Sequence, residues 1–299
     1  MSNAPLLVID IGGTHLKFGA VVGDERRLLG RHFATERLRG VDPIGALAAM
    51  ITEASDALGV KPTKIVSTIP GFLDPDYDLV HYAGNIQNLN ERRVASELSA
   101  RIGIPVLLER DAVMILLGEW LAGAAKGAKN VLGIFFGTGV GGAFLQNGIP
   151  FRGAGFALEI GNMPFKGQGR TLPGRRTDCL ETYVSGAVLQ EMAARHQVAI
   201  GDIFTSCSSI LQKEVEGFLA DFVIAVGMAV ALFSPDCILL GGGICEMRGF
   251  PKEKVASQIA ANAPFKEMGM EMDLRWAQLG WEAVLAGAAH LASVGIQSL

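Results

Sequence analysis

The sequence predicts an α/β protein built of two similarly made halves, and three observations carry that reading. Apolar runs of strand length alternate with longer helical stretches along the whole chain. A strand, a glycine-rich turn and a second strand open each half, first at Leu6–Val22 (LLVIDIGGTHLKFGAVV) and again at Asn130–Gln146 (NVLGIFFGTGVGGAFLQ). The chain has 299 residues, 49% of them hydrophobic and 19% charged, enough apolar material for two cores and too much for disorder.

Taken in order, the hairpin of Leu6–Val22 is followed by a polar strand candidate over Leu28–Thr35. Asp42 and Pro43 supply a cap and a first-turn residue for a helix running to Leu58. Ile65–Ile69 is a short strand ended by Pro70-Gly71, and Asp74-Pro75-Asp76 and Gly84–Asn90 read as loops. Arg92–Arg101 is predicted helical, Ile104–Glu109 a strand that delivers Arg110 and Asp111 at its end, and Ala112–Ala124 a helix. In the second half Asn130–Phe136 and Ala143–Gln146 are strands around a turn at Gly137–Gly142. Phe151–Arg176 is mostly irregular, and Cys179–Gln197 and Ser208–Phe233 are helical. Cys237–Leu240 is a strand ending in Gly241-Gly242-Gly243, followed by a helix at Lys252–Ala261, a strand near Leu274 and a closing helix over Ala283–Val294.

Composition excludes several functions. The net charge is -4 with no run of lysine or arginine, which argues against a nucleic-acid partner. The four cysteines are widely spaced, as in reduced core thiols rather than a disulfide framework. No basic segment precedes the first strand, so no secretory leader is expected, and the most apolar stretch, Gly217–Phe233, carries Asp221 and is short for a bilayer span. The expectation is a soluble, cytoplasmic protein without a membrane partner.

The first turn holds the candidate chemistry. Asp10 ends an apolar run, Gly12 and Gly13 let a ligand approach the main chain, and Thr14 and Lys17 add a hydroxyl and an amine. An acid, a hydroxyl and an ammonium beside open backbone suit an oxyanion with its metal ion; the plain alternative is a decorated tight turn. The second turn, Gly137-Thr138-Gly139-Val140-Gly141-Gly142, satisfies G-x-G-x-x-G literally, but a strand rather than a helix follows it, so the dinucleotide reading fails on context. No Gly-Lys-Ser or Gly-Lys-Thr occurs, and neither His-Arg-Asp nor Asp-Phe-Gly is present, which removes P-loop and protein-kinase readings. With Gly241–Gly243, three glycine clusters each end an apolar strand, and together they suit a bound nucleotide.

DIGGTHLK, FGTGVGG and LLGGG, in this order and spacing, resemble the ROK (repressor, open reading frame, kinase) sugar kinases of the actin-like ATPase superfamily, and the resemblance covers essentially the whole chain. Within it, Leu232–Glu253 is most similar to bacterial D-allose kinases. The resemblance implies two actin-like (ribonuclease H-like) domains with ATP and sugar in the cleft between them. The small domain would be residues 1–115 with the C-terminal helix 286–299, and the large one 116–285. Position by position, it implies that Asp10, Gly12, Gly13, Thr14 and Lys17 form the first phosphate motif, with Asp10 holding Mg²⁺ through water. Gly137, Thr138 and Gly139 would belong to the second phosphate loop, and Gly241, Gly242 and Gly243 to the adenosine motif. Asp111 would be the catalytic base, with a helix N-cap before Ala112 as its plainer role. Sugar contacts would fall on Asn88, Arg110, Asp111, Glu159 and Glu181, with Gly71 lining the pocket.

The chain departs from the family pattern at its zinc motif. Glu159-Ile160-Gly161 is followed by Asn162 instead of histidine, and of three expected cysteines only Cys179 remains. Structural zinc takes four ligands, so no zinc is expected, and the 151–176 loop must be held by ordinary packing or remain mobile. Arg110 and Val113 stand where asparagines commonly flank the catalytic acid, a change that bears on sugar choice.

The function expected is phosphorylation of a hexose at its 6-hydroxyl by ATP, with D-allose first among substrates. The alternatives are glucose, mannose or an N-acetylated amino sugar, or a sugar-binding protein that has lost turnover. The repressors of the family carry an N-terminal helix-turn-helix segment, and this sequence starts directly at the phosphate hairpin. The resemblance allows a homodimer.

Overall fold

A computed structural model describes residues 4–84, 86–265 and 267–295 and divides into two compact units. The first comprises the chain to Gly123, Arg152–Ala157 and the chain from Leu279 on; the second comprises Ala124–Phe151 and Leu158–Gln278.

The first unit is built on a sheet of β1 (Leu6–Ile11), β2 (His15–Val22), β3 (Glu25–Leu28), β4 (Phe33–Ala34), β5 (Lys64–Ile69) and β9 (Val106–Arg110). Its order is β3-β2-β1-β5-β9, with β4 also on β2. β1 and β2 are antiparallel, whereas β1, β5 and β9 are parallel. Strands buried on both faces read as continuous apolar runs, and LLVIDI of β1 is such a run. Helix α1 (Pro43–Leu58) starts where Asp42 accepts from the Gly45 amide at 2.8 Å and ends at Gly59 in the left-handed conformation. Helices α2 (Val94–Ile102), α3 (Asp111–Ala122) and α7 (Trp281–Val294) complete the unit. Val284, Leu285, Ala288 and Leu291 of α7 pack with Leu6, Val8, Val66 and Met114. Glycines let α3 and α7 cross backbone to backbone: a Cβ at Gly118 would lie 1.9 Å from the Ala283 carbonyl oxygen.

The second unit repeats the arrangement with β10 (Asn130–Phe136), β11 (Val140–Gln146), β12 (Ile149–Pro150), β13 (Cys237–Gly241) and β14 (Leu274–Trp276), ordered β12-β11-β10-β13-β14. Again the first pair is antiparallel and the following pairs are parallel. Helices α4 (Gly186–Arg195), α5 (Ser209–Phe233) and α6 (Lys252–Asn262) accompany it. Among the described residues α5 is the one helix long and apolar enough to cross a membrane by length and composition, and 56% of its apolar window is buried inside the protein. An antiparallel hairpin followed by parallel strands, in the same order twice, is the actin-like α/β fold.

Several local expectations need correction. The polar strand expected over 28–35 is not continuous: Leu28 ends β3, only Phe33–Ala34 form a strand, β4, and a 3-10 turn starts at Thr35. The loop after Gly71 contains a small sheet of β6 (Phe72–Leu73), β7 (Leu79–Tyr82) and β8 (Arg92–Arg93), too short and polar to show a period. The helix expected over 179–197 is broken, because Ser185 takes extended angles and caps α4 at Val188. Of the expected closing helix over 286–299, residues 296–299 lie outside the described residues, as does Asn85 within the 84–90 loop.

Candidate active site

In the first unit the parallel strands β1, β5 and β9 finish at one edge of the sheet. There Ile11 leads into Gly12-Gly13, Ile69 into Pro70-Gly71, and Arg110 into Asp111. The carboxyl edge of parallel strands is where open α/β sheets hold ligands.

Asp10 and Lys17 are cross-strand partners in the β1–β2 register, and the Lys17 Nζ stands 3.5 Å from Asp10 Oδ2. The other carboxylate oxygen, Oδ1, accepts from Thr68 Oγ1 at 2.9 Å, and that hydroxyl accepts from the Ile11 amide at 3.0 Å. Thr35 donates to the Gly12 carbonyl at 2.8 Å and so pins the turn from beneath. The Lys17 ammonium also lies 5.8 Å from the centre of the Trp281 ring. Thr14 is exposed at the tip. The donor set fits a hydrated Mg²⁺: a hard carboxylate oxygen at a strand end, next to exposed backbone.

Helix α3 starts at Asp111 itself, with Arg110 as its cap, one residue earlier than expected. Asp111 Oδ1 accepts from the Ala112 amide at 2.7 Å, so the carboxylate sits in the first turn, where the helix dipole favours a negative charge. Gly71 is required sterically, since a Cβ there would lie 2.1 Å from the Tyr82 carbonyl oxygen. Asn88 is exposed, and its Nδ2 donates to the carbonyls of Arg39 and Gly40 at 3.1 and 2.8 Å. Arg110 is only 2% exposed, and its Nη1 donates to the Ala157 carbonyl at 2.7 Å. Beside it the buried Glu109 pairs with Arg152 at 2.6 Å, and the Arg152 guanidinium stacks 4.4 Å from the Tyr77 ring centre. Arg110 and Glu109 thus tether the 152–157 segment to the strand end that carries Asp111.

In the second unit, β10 and β13 end side by side, with Phe135 opposite Gly241. The turn expected over Gly137–Gly142 is tighter, because Phe136 pairs with Val140 and leaves only Gly137–Gly139 outside the ladder. Gly137 accepts from the Gly186 amide at 2.7 Å, which fixes the turn to the start of α4. Gly242 adopts φ +91, and a Cβ there would lie 2.4 Å from the Phe136 carbonyl oxygen, so both conformation and space demand glycine. Gly243 is exposed.

Glu159 precedes a short 3-10 turn, and its Oε2 accepts from Asn162 Nδ2 at 3.4 Å. Glu181 Oε1 accepts from the Val140 amide at 2.8 Å, directly after the Gly137–Gly139 turn. Its Oε2 forms an ion pair with Arg175 Nε. The second unit therefore brings Gly137–Gly139, Glu181 and the Glu159-Ile160-Gly161 stretch together, with Gly161 packed against the Val140 carbonyl and the Glu181 side chain. Among the described residues no three His, Cys, Asp or Glu side chains gather as a metal-binding group.

Thr35, Thr68, Trp281 and Arg175 were not singled out by motif reading. For Thr68 a signal was present: Ser67 and Thr68 interrupt the apolar run of β5, and hydroxyls placed inside a sheet need polar partners.

The model of the ROK family matches residues 6–294. A beta-glucoside kinase of Klebsiella pneumoniae is 28% identical over 256 residues, covering 82% of this chain and 84% of its own length. The crystal structure of a ROK hexokinase from Thermus thermophilus superposes with a TM-score of 0.76 at 26% identity, over 98% of this chain and 99% of that one. A ROK glucokinase from Streptomyces griseus, solved with glucose and AMPPNP, shares the fold with a TM-score of 0.83 at 23% identity, over 98% and 100% of the two chains.

Proposed function

The chain belongs to the ROK family, and we propose that it is an ATP-dependent hexose kinase in which Asp111 is the general base. The observation that carries this reading is the edge of the first sheet, where the Asp10–Lys17–Thr68 cluster ends β1 and β5 and Asp111 follows β9. Support comes from the similarity to a beta-glucoside kinase and a hexokinase.

In this reading the glycine turns present backbone amides to the phosphates and adenosine, Gly137–Gly139 for the former and Gly241–Gly243 for the latter. Lys17 offsets phosphate charge. Mg²⁺ bound with ATP supplies neutralisation of the phosphate oxygens, and Asp10 is the residue that would hold it, through water. Asn88, Glu159 and Glu181 bind the sugar hydroxyls, Gly71 lines their pocket, and Arg110 acts from beneath by fixing the 152–157 segment. Asp111 accepts the proton of the sugar 6-hydroxyl as that oxygen bonds to the γ-phosphorus, and the bond from phosphorus to the bridging oxygen breaks to release ADP. A base so placed is worth about 10²–10⁴ in rate. D-allose is the first candidate substrate, on the similarity of Leu232–Glu253 and on Arg110 before the catalytic acid.

The test is ADP release from Mg-ATP with D-allose, D-glucose, D-mannose and N-acetylated amino sugars, followed by NMR of the product to locate the phosphate. Turnover of a hexose with phosphate at O6 is the expected result. No turnover, with a sugar still raising Tm, would replace the kinase by a sugar-binding relic.

A further inference from the structure

The loop from Met163 to Tyr183 stands where the family resemblance places a zinc site, and its residues do not fit zinc. Cys179 is 1% exposed and bridges backbone to backbone with Pro164, Asn162 is occupied with Glu159, and 167–178 offers no further thiol or imidazole. Four ligands are needed and one is present.

Charge and hydrogen bonds organise the loop instead. The Asp178 carboxylate accepts from the Gly169 amide at 2.7 Å, the Arg170 amide at 2.8 Å and the Tyr183 hydroxyl at 2.6 Å. Its own amide donates to the Arg170 carbonyl at 2.8 Å, and its carbonyl accepts from Phe165 at 2.7 Å. One residue thus closes both ends of the loop. Two ion pairs fasten it outward, Lys166 to Asp221 of α5 at 2.5 Å and Arg170 to Glu191 of α4 at 2.8 Å, and a third closes within it, Arg175 to Glu181. Asp221 is the single charge in the Gly217–Phe233 stretch of α5, and the loop uses it.

Of the three pairs, the one between Arg175 and Glu181 is the most buried, with side chains 16% and 13% exposed. Glu181 lies in a slot left by two glycines: a Cβ at Gly139 would stand 2.4 Å from its Oε1, and one at Gly161 would stand 2.7 Å from its Cγ. With Oε1 on the Val140 amide and Oε2 on Arg175, the carboxylate is fixed at both oxygens. Two such charge-assisted contacts remove its rotation and keep it a pure acceptor.

We propose that this loop is a metal-free, charge-held arm that delivers Arg175 to Glu181, making Arg175 a positioning residue for the hexose site and for the phosphate turn beyond it. The hexose part rests on the proposed role of Glu181 in binding sugar.

Arg175→Ala, Arg175→Lys and Asp178→Asn test it, with three readouts on the full chain: KM for hexose against KM for Mg-ATP, hydrogen exchange at the Val140 amide, and zinc content with Tm before and after a chelator. Asparagine suits Asp178 because it tolerates the left-handed angles found there (φ +55) while removing the charge. The expected result is a rise of about tenfold in hexose KM for Arg175→Ala, as for the loss of one charge-assisted contact. Mg-ATP KM should rise less than hexose KM, since the turn also keeps its own backbone bonds. Val140 exchange should speed up in Arg175→Ala and Asp178→Asn, lysine should restore part of both effects, and the wild type should hold no stoichiometric zinc and be indifferent to chelator. Unchanged hexose KM and unchanged Val140 exchange in Arg175→Ala would overturn the proposal, as would stoichiometric zinc whose removal lowers Tm. If the wild type phosphorylates no hexose, the kinase reading fails by itself, and Val140 exchange with metal content still decides whether the arm exists.

Discussion

Thr68→Val exchanges a hydroxyl for a methyl at nearly constant volume, at a position with no solvent exposure. The hydroxyl serves two partners, donating to Asp10 Oδ1 at 2.9 Å and accepting from the Ile11 amide at 3.0 Å. Valine leaves that amide without a partner inside the sheet, which costs about 1–3 kcal/mol. Asp10 also loses a hydrogen bond to its charge, but its side chain is 17% exposed, so water makes good part of that loss. The sum is about 2–3 kcal/mol of stability. At about 2–4 °C per kcal/mol for units of this size, Tm should fall by roughly 4–12 °C. Freed of one tether, the Asp10 carboxylate should swing toward Lys17 and raise KM for Mg-ATP by about 3–10-fold, as for a lost hydrogen bond. Thr68→Ser keeps the hydroxyl and drops a methyl, so it should cost about 1 kcal/mol with Mg-ATP KM unchanged. Urea unfolding and steady-state kinetics on both variants give the answer. Thr68→Val within about 0.5 kcal/mol of wild type, with the same KM, would refute the bridging role.

Two further outcomes are expected. Gly242→Ala should raise KM for Mg-ATP at least about tenfold with little change in hexose KM, because a side chain at φ +91 meets the Phe136 carbonyl and must displace the strand end; product-formation kinetics check this. The hydrogen bond from Tyr183, joined by backbone donors including Gly169 and Arg170, outweighs burial and holds the Asp178 carboxyl below its ordinary 3.8. A depressed folded value means that the stabilisation is complete above 3.8 and is lost as pH falls through the lower folded value. Hydrogen exchange at Gly169 and Arg170, corrected for intrinsic rates, should therefore show constant loop protection from neutral pH to about 4 and a decline only below it.

Much of the fold was legible because its strands are apolar runs closed by glycine, as at Leu6–Ile11 and Cys237–Gly241, and a period of two or a continuous run survives any tertiary context. The small sheet of β6, β7 and β8 was not, since strands of two to four residues carry no period and hold together by register with one another. The glycine clusters and Asp111 were legible as a pattern of residue types at strand ends. Arg110 shows the limit: its place before Asp111 is plain in the sequence, yet its donor goes to the Ala157 carbonyl, a partner 47 positions away that no local rule supplies. The sequence left the 151–176 loop between ordinary packing and mobility. Its actual fastening depends on Asp178, Arg170 and Arg175 meeting Tyr183, Glu191 and Glu181, and the pairing with Glu191 is made with α4, 21 positions along the chain from Arg170.

Asp111→Asn decides whether Asp111 is the base of a hexose kinase, because asparagine keeps the size and the capacity to bind sugar hydroxyls but cannot take up a proton. Binding of the hexose by calorimetry and ADP release from Mg-ATP would be measured on the same preparation. Hexose affinity should stay within about fivefold of wild type while kcat falls by about 10²–10⁴. A variant that still turns over at more than about a tenth of the wild-type rate would contradict it.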